Sequence, residues 1–348
     1  MKKITIKLSI LLLPIGMLVL SINCIVDPAN LISGETYVEN IAQILAKGNN
    51  VDNISNYDER LLQKHYLEKK KTQNPDIIVM GSSRIMEIGN DIFPNKKIFN
   101  IGVSHANIND LVALAGLLDE YKIKPKAVLI NLDPFLICQD DKSDEWISLF
   151  EYHQKFIKIY SDMPSKEIPI NNLFKKYYTL LTFDYFNSSI QYIIKGNTKS
   201  IVDIGKTIPK KYGRLSNGCV AYSYDYRNPD TLIVADVAKK TGEQLNLDKI
   251  DNSKLKMLHY LLKYFKNKGI KYSFIMLPYH KEFYNSVNKK QNDLLKKYET
   301  FFVNFASQNR IPLIGSLSPL KCKLNNLDFY DPYHCSGNAI KKIVENNN

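Results

Sequence analysis

Cysteines at metal-ligand spacing are missing from this chain. It has five, Cys24, Cys138, Cys219, Cys322 and Cys335, and no CxxC pair, which argues against a zinc site. Cys24 falls in an apolar N-terminal run. The other four are either disulfide-bonded, with Cys322 and Cys335 as candidates, or free buried thiols. No cluster of His, Asp and Glu has a ligand spacing, so neither a metal nor another cofactor is expected. No repeat period is visible. No nucleic-acid motif occurs, and nucleic acid is not an expected partner. The net charge of +12 does not change that, because Lys dominates over Arg and is spread along the chain. Groups such as Lys69-Lys70-Lys71 and Lys210-Lys211 read as solvated surface.

What is there begins at the N-terminus. Lys2, Lys3 and Lys7 precede an uncharged run from Leu8 to Val26 rich in Leu, Ile, Met and Val. As a helix this run spans about 28 Å, enough to cross the hydrocarbon core of a bilayer. The basic residues before it and Asp27 after it orient the N-terminus to the cytoplasm and the rest of the chain outside. Ser21-Ile22-Asn23-Cys24 is a poor cleavage site and a poor lipoprotein box, so an uncleaved single-pass anchor over 1–26 is favoured over a cleaved signal.

Residues 27–75 are polar and Asn-rich, with helical stretches near 36–48 and 58–71, and read as a connector and entry helix. Five short apolar runs then stop at Gly or Pro. They are Asp76 to Met80, Ile98 to Ile101, Ala127 to Leu132, Tyr272 to Leu277 and Ile311 to Ile314. Helical patterns lie between them at about 105–122, 253–268 and 287–309. Apolar runs alternating with helices predict a parallel sheet covered on both faces. With 45 % apolar residues the chain can bury a large core. The expected architecture over 76–348 is a flavodoxin-like three-layer α/β/α fold with a five-stranded parallel sheet. A helical insertion at about 140–250 would form a cap or one wall of a cleft, with amphipathic helices from Trp146 to Tyr160 and Leu173 to Ile194 and a polar, Tyr-rich stretch from Lys206 to Asp230.

Ligands of open parallel sheets bind beyond the carboxyl ends of the strands. Ser83 follows the first strand and is expected to open a helix at Ile85, whose free N–H groups would favour an oxyanion beside the serine oxygen. Asp331-Pro332-Tyr333-His334 lies near the C-terminus. There His334 is placed to take a proton from Ser83, and Asp331 to orient the imidazole. Arg84 is a candidate to hold an anionic substrate group or to pair with Asp133. His105 is a candidate to line the cleft or cap a helix, and His280, after the fourth strand, a candidate substrate contact at the rim.

Taken together these blocks resemble the SGNH (GDSL-type) hydrolases over about 76–135 and 270–346. Gly81-Ser82-Ser83 resembles the Gly-Asp-Ser block, with Ser82 in place of Asp. Asn100-Ile101-Gly102 resembles the block whose Gly supplies an oxyanion N–H, and Asp331-Pro332-Tyr333-His334 with Gly337 resembles the closing Asp-x-x-His block. The resemblance implies Ser83, Asp331 and His334 as catalytic residues and an oxyanion hole at Ser83, Gly102 and Asp133. One block departs: Asn131-Leu132-Asp133 puts Asp133 where the family has a donating Asn, and a carboxylate cannot donate. Asn131, Asn107 or Asn109 would have to substitute. The N-terminal run, Val26-Asp27-Pro28 and Gly-Ser-Ser-Arg84 look like the membrane-anchored branch, which includes proteins of teichoic-acid D-alanylation and exopolysaccharide acetylation. The resemblance thus implies a serine esterase or O-acyltransferase acting on a cell-surface glycan or an acylated carrier, with a membrane acyltransferase as a possible partner. The alternative is a noncatalytic SGNH-fold partner in a polysaccharide assembly complex, which the Asp133 departure favours.

Overall fold

The computed structural model describes residues 2–139, 143–165, 178–194, 196, 201–247 and 249–347, with side chains from Leu13 onward. Five strands form one all-parallel sheet: β2 (Ile77–Met80), β3 (Ile98–Asn100), β4 (Ala127–Asn131), β8 (Lys271–Met276) and β9 (Leu313–Gly315). Their order is β3-β2-β4-β8-β9, which counted along the chain is the doubly wound order 2-1-3-4-5. The apolar runs extend in this way because side chains of both faces are buried. Along β2, Ile78 and Met80 enter one apolar layer and Val79 the other, and in β8 Phe274 and Met276 likewise oppose Ile275.

The larger layer takes buried faces of α2 (Gly34–Ala46), α3 (Glu59–Lys69), α4 (Ile108–Glu120), α8 (Asn252–Asn267), α9 (Lys281–Lys290) and α10 (Leu294–Gln308). The smaller one is closed by α11 (Gly337–Glu345) through Ile340, Ile343 and Val344. The three-layer α/β/α fold expected from the apolar runs is the observed one.

Several local expectations change. The single helix read over 287–309 is two, because Asn292 and Asp293 adopt left-handed backbone (φ 50° and 59°) and the Asn288 side chain accepts from Leu295 N at 2.9 Å. Residues 27–75 are more than a connector: α2 and α3 bring Val38, Ile41, Leu62 and Leu67 into the main core. The insertion carries α5 (Phe150–Tyr160), α6 (Phe183–Ile194) and α7 (Thr231–Gln244), and residues 173–177 of the helix read to Ile194 lie outside the described residues.

The insertion is not only helical. Its two-residue strands β5 (Val202–Asp203), β6 (Gly213–Arg214) and β7 (Val220–Ala221) join β1 (Val51–Asp52) in a small antiparallel sheet ordered β5-β1-β6-β7. Gly213 permits that pairing, since a Cβ there would lie 2.2 Å from Val51 O. Lys70, read as solvated, is buried. Its Nζ donates to Ser216 O at 3.1 Å and lies 5.1 Å and 5.0 Å from the Tyr66 and Phe99 ring centroids, and burial lowers its pKa to about 8. All five cysteines are free thiols, and Cys322 and Cys335 pack in the smaller apolar layer.

Residues Lys2–Val26 form one helix, α1, with Pro14 inside it. No helix of the described residues is long and apolar enough to cross a membrane. The part of α1 with described side chains, from Leu13, is about 21 Å long, shorter than the hydrocarbon core.

Candidate functional site

Strand order reverses between β2 and β4, which opens a crevice at their carboxyl ends. Ser83 stands there. It does not open an α-helix: a single 3-10 turn spans Ser83–Ile85, too short to add the dipole of a full helix. The turn is held from below by Asn100, whose buried Nδ2 donates to Ile85 O and Ile88 O at 2.7 Å and 3.1 Å.

The loop before α11 brings the acid and base to this serine. Ser83 Oγ lies 2.8 Å from His334 Nε2, and His334 Nδ1 lies 2.8 Å from Asp331 Oδ2. The other Asp331 oxygen accepts from the backbone N–H groups of Tyr333 and His334 at 2.7 Å and 2.8 Å, which fixes the carboxylate relative to the ring. Burial alone would raise the Asp331 pKa. The hydrogen bond and charge of His334, the Tyr226 hydroxyl and the Tyr333 amide outweigh it and bring the group to about 2.

Tyr226 was not singled out from the sequence. It comes from the short insertion helix Tyr224–Arg227. Its hydroxyl donates to Asp331 Oδ2 at 2.5 Å and lies 3.3 Å from His334 Nδ1. Nothing local marks it among the neighbouring tyrosines, because its partner is far away in sequence. Tyr226→Phe should slow serine labelling about tenfold, the value of one hydrogen bond to a charged group. It should also let Asp331 titrate nearer its ordinary 3.8. Carboxyl NMR of Asp331 reads the second effect, and an unmoved titration would mean that Tyr226 only packs.

The oxyanion side differs from the expected one. Gly102 N–H donates to Asn100 Oδ1 at 3.0 Å, so it is not free. Asp133 is buried and accepts from Arg84 Nη1 at 2.5 Å, from Phe135 N at 3.1 Å and from Tyr279 OH at 3.2 Å. It offers no donor, and no asparagine replaces it. Asn131 Oδ1 accepts from Ser82 Oγ at 3.0 Å while its Nδ2 faces Ile275 O at 3.3 Å. Asn107 caps α4, and the Asn109 amide bonds to Asn107 and His153. The Ser83 amide has no acceptor among the described residues.

Arg84 takes the second of its two expected roles and pairs with Asp133. It is buried: besides Asp133, its Nε donates to Tyr333 O at 3.1 Å, its Nη2 donates to Leu277 O, and its guanidinium lies 3.8 Å from the Tyr279 ring centroid. It fastens the ends of β4 and β8 and the His334 loop to the nucleophile's own turn. His280 is likewise not a rim contact. It is buried, its Nδ1 accepts from Glu282 N at 3.2 Å to cap α9, and burial lowers its pKa.

His105 is exposed, in left-handed conformation (φ 51°), and lines the cleft; the cap of α4 is Asn107 instead. Its loop is gripped by a buried network that the sequence did not reveal. Glu59 Oε2 accepts from Ser104 N at 2.5 Å, and Arg60 Nη2 donates to Ser104 O at 2.7 Å. Arg214 Nη2 holds the other Glu59 oxygen at 2.7 Å, and Asp110 holds Arg60 Nε at 2.9 Å.

Ser83 and His334 border two cavities. One, of about 520 Å³, is lined by Asp133, Phe135, Glu145 and Leu245 among others. The second, of about 340 Å³, is walled by Met86, Tyr212, Tyr222 and Tyr226. Behind the tyrosines, Glu87 accepts from Tyr330 OH at 3.4 Å, and burial pushes its carboxyl up to about 7 against the opposing pull of Tyr330 and Arg227. A carboxyl raised on folding stabilises fully below its unfolded pKa, and that contribution is lost as pH rises through the folded one. Glu87→Gln should therefore raise thermal stability relative to wild type at pH 8 and leave it unchanged at pH 4. Equal shifts at both pH values would show that Glu87 is not the titrating group.

Fold and site together define an α/β protein with a serine-histidine-aspartate triad at the carboxyl edge of a doubly wound sheet. The chain belongs to the family described as Protein of unknown function (DUF1574), whose model matches residues 19–346. No curated protein matches it.

Proposed function

We propose that this protein is a serine esterase or O-acyltransferase of SGNH type. The observation that carries the reading is the continuous Ser83–His334–Asp331 line, with both links at 2.8 Å. In this reading Ser83 Oγ attacks the carbonyl carbon of an ester while His334 Nε2 takes its proton. The tetrahedral intermediate collapses, His334 returns the proton to the departing alkoxide, and the acyl group remains on Ser83. A water or sugar hydroxyl then gives its proton to His334 and attacks the acyl carbon, and as the second intermediate collapses His334 returns that proton to the departing Ser83 Oγ. Asp331 orients the ring and stabilises the imidazolium, and Tyr226 steadies Asp331.

The acceptor or substrate we propose is a cell-surface glycan, with an acylated carrier or a membrane acyltransferase as donor-side partner. Support for that location is the uncharged run Leu8 to Val26 after Lys2, Lys3 and Lys7. It fits a single anchor with a cytoplasmic N-terminus and the α/β domain outside. The second reading, a noncatalytic binding partner in envelope polysaccharide assembly, is favoured by one observation: the Gly102 amide is occupied, and Asn131 turns its amide to Ile275 O instead of into the cleft. Loss of one oxyanion donor costs about 100-fold or more in rate. A serine-directed fluorophosphonate on the full chain separates the readings. Labelling mapped to Ser83 supports the enzyme, and an unlabelled, folded protein supports the binding partner.

A further inference from the structure

The helix α6 is amphipathic over a wider arc than its packing uses. At about 100° per residue, Tyr185 and Ser189 fall on one side and face α1. Both are buried. Next to them, within a further arc of about 100°, fall Phe183, Phe186, Ile190, Ile193 and Ile194. Of these Phe183 is 66 % exposed, Ile193 56 % and Ile194 70 %. Asp184, Asn187, Ser188 and Gln191 occupy the remaining, polar arc.

Three buried polar contacts hold α6 and the turn before it against the end of α1 and the residue that follows it. Asn23 Nδ2 donates to Leu180 O and Ser189 Oγ donates to Asn23 Oδ1, each at 2.9 Å, and Tyr185 OH donates to Asp27 Oδ1 at 2.9 Å. The stripe on α6 therefore lies beside the last turns of α1. There Ile25 is 82 % exposed, and farther back along the same helix Leu13, Ile15, Met17 and Leu18 are each more than half exposed. The two helices form one apolar surface continuous with the uncharged N-terminal run.

We propose that this surface sits in the interfacial layer of a lipid bilayer, with the Phe183–Ile194 stripe immersed beside α1 and the polar arc of α6 turned to water. The proposal rests on the reading that residues 8–26 enter a membrane. Continuity with that run singles out lipid as the occupant, since an amphipathic helix with a wide apolar arc and a polar back lies in the interface plane. Two contact points in place of one would fix the height and tilt of the cleft above the bilayer.

The test uses the full chain in vesicles of phosphatidylcholine with a minority of phosphatidylglycerol. Tryptophan is introduced singly by Leu13→Trp, Phe183→Trp and Leu232→Trp, the last on an exposed site of α7, and brominated phosphatidylcholine serves as quencher. Brominated lipid should lower the added emission at least about twofold for Leu13→Trp and Phe183→Trp and leave Leu232→Trp unchanged, while iodide quenches only Leu232→Trp. Quenching at Leu13→Trp alone would overturn the α6 surface and leave the anchor. Quenching at neither would overturn the anchor and this proposal with it. Should Phe183→Trp not fold, Ile193→Trp gives the same readout from the same stripe.

Discussion

Ser83→Ala should abolish fluorophosphonate labelling and lower any ester turnover at least about a thousandfold, with the fold unchanged. The serine side chain is partly exposed at a turn, and its hydroxyl has His334 as its only side-chain partner among the described residues. Removing it deletes the nucleophile and little buried contact. His334→Ala should cost nearly as much, and the double variant little more, because nucleophile and base act as one unit. Ser82→Ala should be mild: its hydroxyl meets Asn131 and takes no part in the line. Intact-mass analysis after labelling, with circular dichroism for the fold, checks all four. Persistent labelling of Ser83→Ala at another residue would remove Ser83 from its role.

Asp133→Asn carries the second large effect, and its direction reverses what sequence alone implies. Seen only as a departure from the SGNH pattern, Asp133 invites replacement by the donating Asn, with a gain in activity. The buried ion pair rules otherwise. Asp133 Oδ2 holds Arg84 at 2.5 Å with both side chains almost wholly out of solvent. Removing one charge leaves the other buried without compensation, at a cost of about 3–5 kcal/mol. Asp133→Asn should therefore lower the denaturation midpoint sharply and reduce labelling, because Arg84 also holds the loop that carries His334. Exchanging both residues for apolar ones of similar volume should recover much of the stability. A variant as stable as wild type and more active would mean that Asp133 is a vacant oxyanion position after all.

The sheet was legible because its physics is local. Ile77 to Met80 or Ala127 to Ile130 are apolar without alternation, and only burial on both faces calls for that. Gly81, Pro278 and Gly315 mark where the chain turns back, so the residues after them were the ones to inspect. Ser83 emerged from that position in the fold, and Asp331 and His334 from the Asp-x-x-His spacing near the C-terminus together with the SGNH resemblance. Tyr226 did not, because what distinguishes it from Tyr222 or Tyr224 is a contact more than a hundred residues away in sequence. Glu59, Arg60 and Arg214 escaped for the same reason: read along the chain they are ordinary surface charges, and only the burial of Glu59 and Arg60 against Ser104, with Arg214 holding Glu59, reveals the grip. Two-residue strands such as β6 and β7 are too short to carry any period.

Were Ser83 to act on an ester as proposed, its position between two adjoining lobes of the cleft would have a kinetic meaning for acyl transfer. With one pocket, the first product must vacate the space that the acceptor needs, and whichever nucleophile is smallest, usually water, arrives first. With two, the alcohol released from the donor ester could leave on the Asp133 side while a hydroxyl compound waited against the tyrosines. Occupancy of the tyrosine side before the acyl-enzyme forms would set the partition between transfer and hydrolysis. The same triad would then behave as a transferase when that side is filled and as an esterase when it is empty.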